Sequence, residues 1–173
     1  MDKLYLINEF SSPGSVGLFI GDFNGVPIGT KTYDSNQSTI TYLGTGDDVS
    51  DSTSCACYVA NKFKSRCDIY GFNQLGNSLV THESLAESHA HYFAVIDQKF
   101  IVDLWLKHNC NESDFVFDLS SNEDRHEIVC RYGSHKLWSV LGHDRFYKPF
   151  EPDYPNDKKI ALEGSSKTIE KTM

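Results

Sequence analysis

No apolar run in this sequence approaches the roughly 20 residues that a membrane-spanning helix requires, so no such helix is expected. The N-terminal stretch, MDKLYLINEF, lacks both a long apolar core and a small-residue cleavage site. A cleavable signal peptide is therefore not expected either. Methionine is scarce, with 2 in 173 residues, whereas Tyr (9) and Phe (11) are plentiful. That balance favours strands and aromatic packing over a helical bundle. Basic charge is in deficit: 16 Lys and Arg stand against 24 Asp and Glu, for a net charge of −8. Such a surface repels phosphate backbones and acidic membranes, which argues against nucleic acid and membrane partners and leaves a basic protein or a neutral peptide. An even set of cysteines is missing too. Cys55, Cys57, Cys67, Cys110 and Cys130 are odd in number and irregular in spacing. Reduced thiols in a cytoplasmic setting are the simpler reading, and secretion without a signal peptide leaves no mark in a sequence.

What is present is enough for one ordinary folded domain. In VGLFIGDFNGVPIGTKTY, Val16 to Tyr33, the Asn24-Gly25 pair predicts a hairpin, with Pro27 placing its second strand near an edge. A short strand is expected at Ser38 to Leu43. The polar run GTGDDVSDSTS reads as a loop ending in helix-cap residues. In SCACYVANKFKSR, Cys55, Val59 and Phe63 recur every four residues with Ala56 and Ala60 beside them, one face of a helix. The stretch His91 to Trp105, HYFAVIDQKFIVDLW, consists of two apolar runs around Asp97-Gln98 and predicts a second hairpin. SSNEDRHEIVCRYG predicts a short helix capped by Ser120 or Ser121. HKLWSVL is one more apolar stretch. A single domain over residues 1–148 is expected, followed by an extended or disordered tail over 149–173.

A cysteine nucleophile must be activated, because a free thiol is mostly protonated at neutral pH. Cys55 follows Ser52, Thr53 and Ser54, so it is expected in a first helical turn, where free backbone N–H groups favour a thiolate and an oxyanion. His91 opens one strand of the second hairpin and Asp103 closes the other. A three-residue turn centred on Asp97 sets His91 directly opposite Asp103 on one face. A two-residue turn pairs His91 with Leu104 instead. With the first register, the carboxylate orients the imidazole and stabilises its cation, the logic of a nucleophile–base–orienter triad.

The order Cys at a helix start (SCACYVA), His opening a strand (HYFAVID), Asp after the next short strand (FIVDLW) resembles the papain-like and transglutaminase-like superfamily. The likeness is nearest to its small bacterial toxin and effector domains, protein glutamine deamidases and cysteine proteases. It spans about a third of the chain, Ser54 to Trp105. The resemblance implies an α+β fold with the nucleophile helix packed on an antiparallel sheet, a Cys55–His91–Asp103 triad, a protein or peptide substrate, and no cofactor or metal. It departs from the papain-type protease pattern in lacking a Gln shortly before the Cys, where GDDVSDSTS stands, and in having Ser54 just before it. These departures tilt the expected reaction from proteolysis toward glutamine deamidation or another acyl transfer.

Other readings stand beside this one. Cys55 on an apolar face is also what a packing residue looks like. Cys57 is the rival nucleophile; it shares a face with Asn61 and Lys64, away from the apolar stripe. His89 alternates in phase with His91 and is the rival base or a substrate-side residue. Trp105 belongs either to the core or to the wall of a substrate cleft. His82, His108, His126, His135 and His143 carry no spacing signal. Cys55, Cys57, His89 and His91 suit zinc by ligand type, but two thiols two apart on a helix diverge by about 200°. The alternative of another class is a non-catalytic protein-binding module.

Overall fold

The computed structural model describes residues 1–11, 21–23, 26–28, 51–73, 79–86, 90–142 and 147. Its centre is a five-stranded antiparallel sheet in the order β6-β5-β4-β3-β7. The strands are β3 (Cys67–Asn73), β4 (Ala90–Ile96), β5 (Phe100–Val102), β6 (Val116–Asp118) and β7 (Ser139–Val140). The predicted first hairpin forms a separate two-stranded sheet, β1 (Gly21–Phe23) with β2 (Val26–Ile28), and Pro27 pairs with Asp22. Five helices are described: α1 (Lys3–Ser11), α2 (Asp51–Phe63), α3 (Glu83–Ala86), α4 (Leu104–Asn109) and α5 (Arg125–Tyr132). The class is α+β, as expected. The strand expected at 38–43 and the tail from 149 lie outside the described residues.

Period-2 alternation divides the core between the two faces of the sheet. Cys67 and Ile69 of β3, Ala94 and Ile96 of β4, Phe100 and Val102 of β5 and Val116 of β6 face one way, and pack with Leu6, Phe10, Cys55, Ala56 and Val59 of α1 and α2. Tyr70 and Phe72, Phe93 and Val95, Ile101 and Phe117 face the other way, and pack with Ile128 and Tyr132 of α5, Leu106 of α4 and Trp138. Both faces of β3 and β4 are covered, which is why β4 reads as a continuous apolar run.

Helix α1 was not expected from the sequence, yet its signals are present. Asp2 Oδ1 accepts the Tyr5 amide at 2.8 Å, an N-terminal cap. Leu6 and Phe10, four apart, are fully buried. The Phe10 carbonyl, at the end of the helix, accepts Lys107 Nζ from α4.

Helix α2 runs alongside β4. Ser52 Oγ in its first turn accepts the Tyr92 amide at 3.2 Å, near the start of β4. At the other end, a 3-10 turn over Lys64–Arg66 delivers Arg66 to Asp97, beyond the end of β4, with Nε to Oδ1 at 2.8 Å. The following strand, β3, pairs with β4 along its whole length, from Cys67↔Ile96 to Asn73↔Ala90.

The β4–β5 hairpin forms as predicted, with its register shifted by two. Ala94 pairs with Val102, Val95 with Ile101 and Ile96 with Phe100, so the turn centres on Gln98 rather than Asp97. Asp97 and Gln98 both lie at positive φ, 52° and 53°. The Lys99 amide donates to the Ile96 carbonyl at 2.9 Å, the pattern of a type I′ turn, and Lys99 is then the extra residue that moves the register. Asp103 and Trp105 fall outside β5: Asp103 caps α4 and Trp105 is in its first turn.

Helix α5 starts later than the sequence suggested, at Arg125. Ser121 Oγ instead caps the turn before it, accepting the Glu123 and Asp124 amides at 3.2 and 3.4 Å. HKLWSVL divides into a 3-10 turn, His135–Leu137, and the edge strand β7.

Candidate active site

Cys55 lies in the second turn of α2, because the helix is already formed at Asp51. The expectation of a first-turn thiol is corrected on this point. The capping residues Ser52, Thr53 and Ser54 are helical themselves, and the N-terminal amides belong to them rather than to Cys55. Cys55 is 5% exposed and Cys57 is 0% exposed. Both belong to the core cluster on the α2 face of the sheet. The expected outward orientation of Cys57 is also corrected: Asn61 and Lys64 are exposed, but every residue from Ser52 to Cys57 is buried, so α2 is enclosed around its first turns rather than along one stripe. Burial pushes the Cys57 thiol up to about 12. It is therefore uncharged at neutral pH and a poor nucleophile.

His91 and Asp103 meet. His91 Nε2 is 2.6 Å from Asp103 Oδ2, and both side chains are buried. The shift of two in register moves Asp103 from directly opposite His91 to diagonally opposite, opposite Phe93 if the ladder is extended. A shift of two preserves the face, so the side chains still converge. Asp103 is anchored independently: Oδ1 accepts the Trp105 and Leu106 amides at 3.2 and 3.4 Å, which caps α4. An ionised carboxylate only accepts hydrogen bonds, so Nε2 of His91 carries the proton and Nδ1 is the nitrogen left for a reacting group.

Aromatic rings surround the imidazole. Trp105 meets it edge-on at 5.2 Å between centroids, Phe72 lies at 6.1 Å, Tyr132 at 6.3 Å and Phe93 at 6.5 Å. Phe72, Phe93 and Tyr132 belong to the face opposite α2. His91 and Cys55 thus project from opposite sides of the sheet. Trp105, in the first turn of α4, packs against both clusters. His89 lies outside the described residues.

One residue that the sequence reading missed touches this pair. Tyr132 Oη donates to Asp103 Oδ2 at 3.1 Å. Ile128 and Tyr132, four apart on α5, are the buried spacing that could have marked it as an inward side chain. His126 also has a spacing signal that was overlooked. It lies four residues before Cys130 on α5, with Nε2 3.5 Å from the thiol. Burial is the main influence on that thiol and raises its pKa, which argues against a thiolate there.

Among the described residues no group of three or more His, Cys, Asp or Glu side chains is disposed to hold a metal ion. Cys55 and Cys57 are both within the helix, the geometry in which they diverge. Among the same residues no helix is long and apolar enough to cross a membrane. Comparison with family models, curated proteins and solved structures returns no match.

Proposed function

We propose that this domain is a thiol-dependent amide hydrolase or acyl transferase of papain-like type, with Cys55 as nucleophile, His91 as base and Asp103 as orienter. The observation that carries this reading is the buried 2.6 Å contact between His91 and Asp103. A hairpin His held through one ring nitrogen by a fixed carboxylate, with the other nitrogen to take a proton, has the arrangement of the base half of a triad. In the reaction, His91 Nδ1 takes the Cys55 proton and the thiolate attacks a carboxamide carbon. The tetrahedral intermediate expels ammonia, protonated by His91. Water, deprotonated by the same imidazole, then cleaves the thioester and frees the thiol. On a protein glutamine the product is glutamate, and this is the favoured substrate class. Proteolysis follows the same steps with an amine leaving group.

The reading requires Cys55 Sγ to reach Nδ1 around the end of β4, since the two side chains start from opposite faces of the sheet. That separation, together with the burial of Cys55, favours a second reading: a protein-binding domain in which Cys55 packs the core and Asp103 caps a helix.

Limited iodoacetamide labelling at about pH 6, mapped by mass spectrometry, separates the two. The enzyme reading expects Cys55 to label far faster than the other thiols, His91→Gln to abolish that advantage, and the wild type to release ammonia from glutamine-bearing proteins. Slow and equal labelling of all five thiols would leave the binding reading in its place.

A further inference from the structure

Asp103 is held from three elements. Its Oδ1 accepts two amides of α4. Its Oδ2 accepts Nε2 of His91 from β4 and Oη of Tyr132 from α5. A carboxylate has about four lone-pair directions, so each is taken and rotation about Cβ–Cγ is blocked. Tyr132 is itself immobilised. It is fully buried, its ring lies 4.6 Å from Phe93, and its carbonyl accepts Trp138 Nε1 at 2.7 Å. Its neighbour Arg131 binds Glu127 one turn back, with Nε to Oε2 at 3.2 Å, and also pairs with Glu112. Ser84 Oγ donates to the same Glu112 at 2.8 Å. The last turn of α5 is thereby tied to α3 and to the segment after α4. Burial, and then the charge of Asp103, hold the Tyr132 phenol well above its ordinary range, so its hydroxyl remains a donor at any working pH.

We infer that Tyr132 is a positioning residue of the candidate site, acting through Asp103: its hydroxyl fixes the oxygen that Asp103 presents to His91. The inference rests on the reading of His91 and Asp103 as base and orienter. Tyr132 does not touch the reacting atoms. It competes with His91 for one oxygen, and two donors on one acceptor weaken each other. Removing the hydroxyl therefore shortens the His91–Asp103 hydrogen bond and leaves the carboxylate with three of its four restraints.

The test uses the full chain with Tyr132→Phe, which keeps the ring that packs on Phe93 and His91. The His91 Nε2–H proton, followed by NMR, is expected to move downfield. If Cys55 is the fast-labelling thiol, its rate falls roughly tenfold, the scale of one hydrogen bond to a charged group. A chain carrying 3-fluorotyrosine, whose hydroxyl is a stronger donor, is expected to move the same proton upfield, and it serves if Tyr132→Phe does not fold. An unmoved His91 proton in both proteins overturns the inference and reduces Tyr132 to packing. A moved proton in a protein whose wild type shows no fast thiol upholds the positioning of Asp103 and sinks the enzyme reading instead.

Discussion

Asp103 accepts four hydrogen bonds, from His91, Tyr132, Trp105 and Leu106, so its replacement tests structure and chemistry together unless the two are separated. Asp103→Ala leaves a buried imidazole and a buried phenol without their partner and uncaps α4. The expected loss is about 3–5 kcal/mol, the scale of a broken buried pair, read from urea denaturation. Asp103→Asn keeps an oxygen for the α4 amides, and its loss should be smaller, about 1–2 kcal/mol. The two variants should nonetheless slow any fast Cys55 labelling alike, because neither presents a carboxylate to His91. Normal labelling in Asp103→Asn would mean that the carboxylate serves only as a cap. The meeting of these residues was legible in the sequence, because alternation in a hairpin fixes the face on which a residue lies. The register was not, because the extra turn residue, Lys99, has no signature of its own. Tyr132 was legible at most as an inward side chain; its bond to Asp103 was not, because it joins residues 29 apart in sequence through the packing of α5 on the sheet.

At the scale of the element, β3 decides how the site is built, and it is the strand that the sequence obscured. CDIYGFN interleaves Cys, Gly and polar residues with its apolar positions, so neither a run nor a clean alternation stands out. Gly71 is needed there for packing. A Cβ at this position would lie 2.5 Å from Cδ1 of Tyr92, 2.6 Å from Cε1 and 3.0 Å from the His91 carbonyl. Tyr92 is the cross-strand partner of Gly71 and lays its ring over the bare backbone. The residue beside Tyr92 is His91, so a displaced ring would disturb the start of β4. Gly71→Ala should therefore destabilise by about 1–3 kcal/mol, as overpacking does. In a Tyr92→Ala background the ring is gone, and the cost should shrink by more than half. A double-mutant cycle in urea measures that coupling. Costs that simply add would show the His91 carbonyl, rather than the ring, to be the obstacle. Helix α2 was legible by contrast, since Cys55, Val59 and Phe63 carry a four-residue period. Its enclosure around Cys57 was not, because which side of a helix is covered depends on elements distant in sequence.

Across the whole molecule the cysteines act together, and their burial has a consequence for pH. Burial is the largest influence on Cys57, Cys67, Cys110 and Cys130, and it raises all four, Cys57 to about 12. In the unfolded chain each thiol ionises near pH 8.5, roughly. Between that value and its folded pKa a thiol is ionised only in the unfolded state, so the unfolded state binds fewer protons and stability falls as pH rises. The contribution of Cys57 is complete below about pH 8.5 and is lost progressively toward about 12, with about 2 kcal/mol gone by pH 10. Cys67, also buried in the core, adds a comparable loss, whereas the half-buried Cys110 and Cys130 add less because solvent reaches them. The sequence supplied the odd count and the inference of free thiols, but not this behaviour. It follows from two sheet faces that are both covered, a long-range property that only the assembled β3–β4 pair reveals. The check is the urea midpoint of the reduced protein at pH 7 and pH 10. Wild type should lose several kcal/mol between them, and Cys57→Ala should lose about 2 kcal/mol less than wild type, whatever its own cost at pH 7. An equal drop in both proteins would mean that Cys57 ionises in the folded state as readily as in the unfolded one, and that α2 is not enclosed where Cys57 lies.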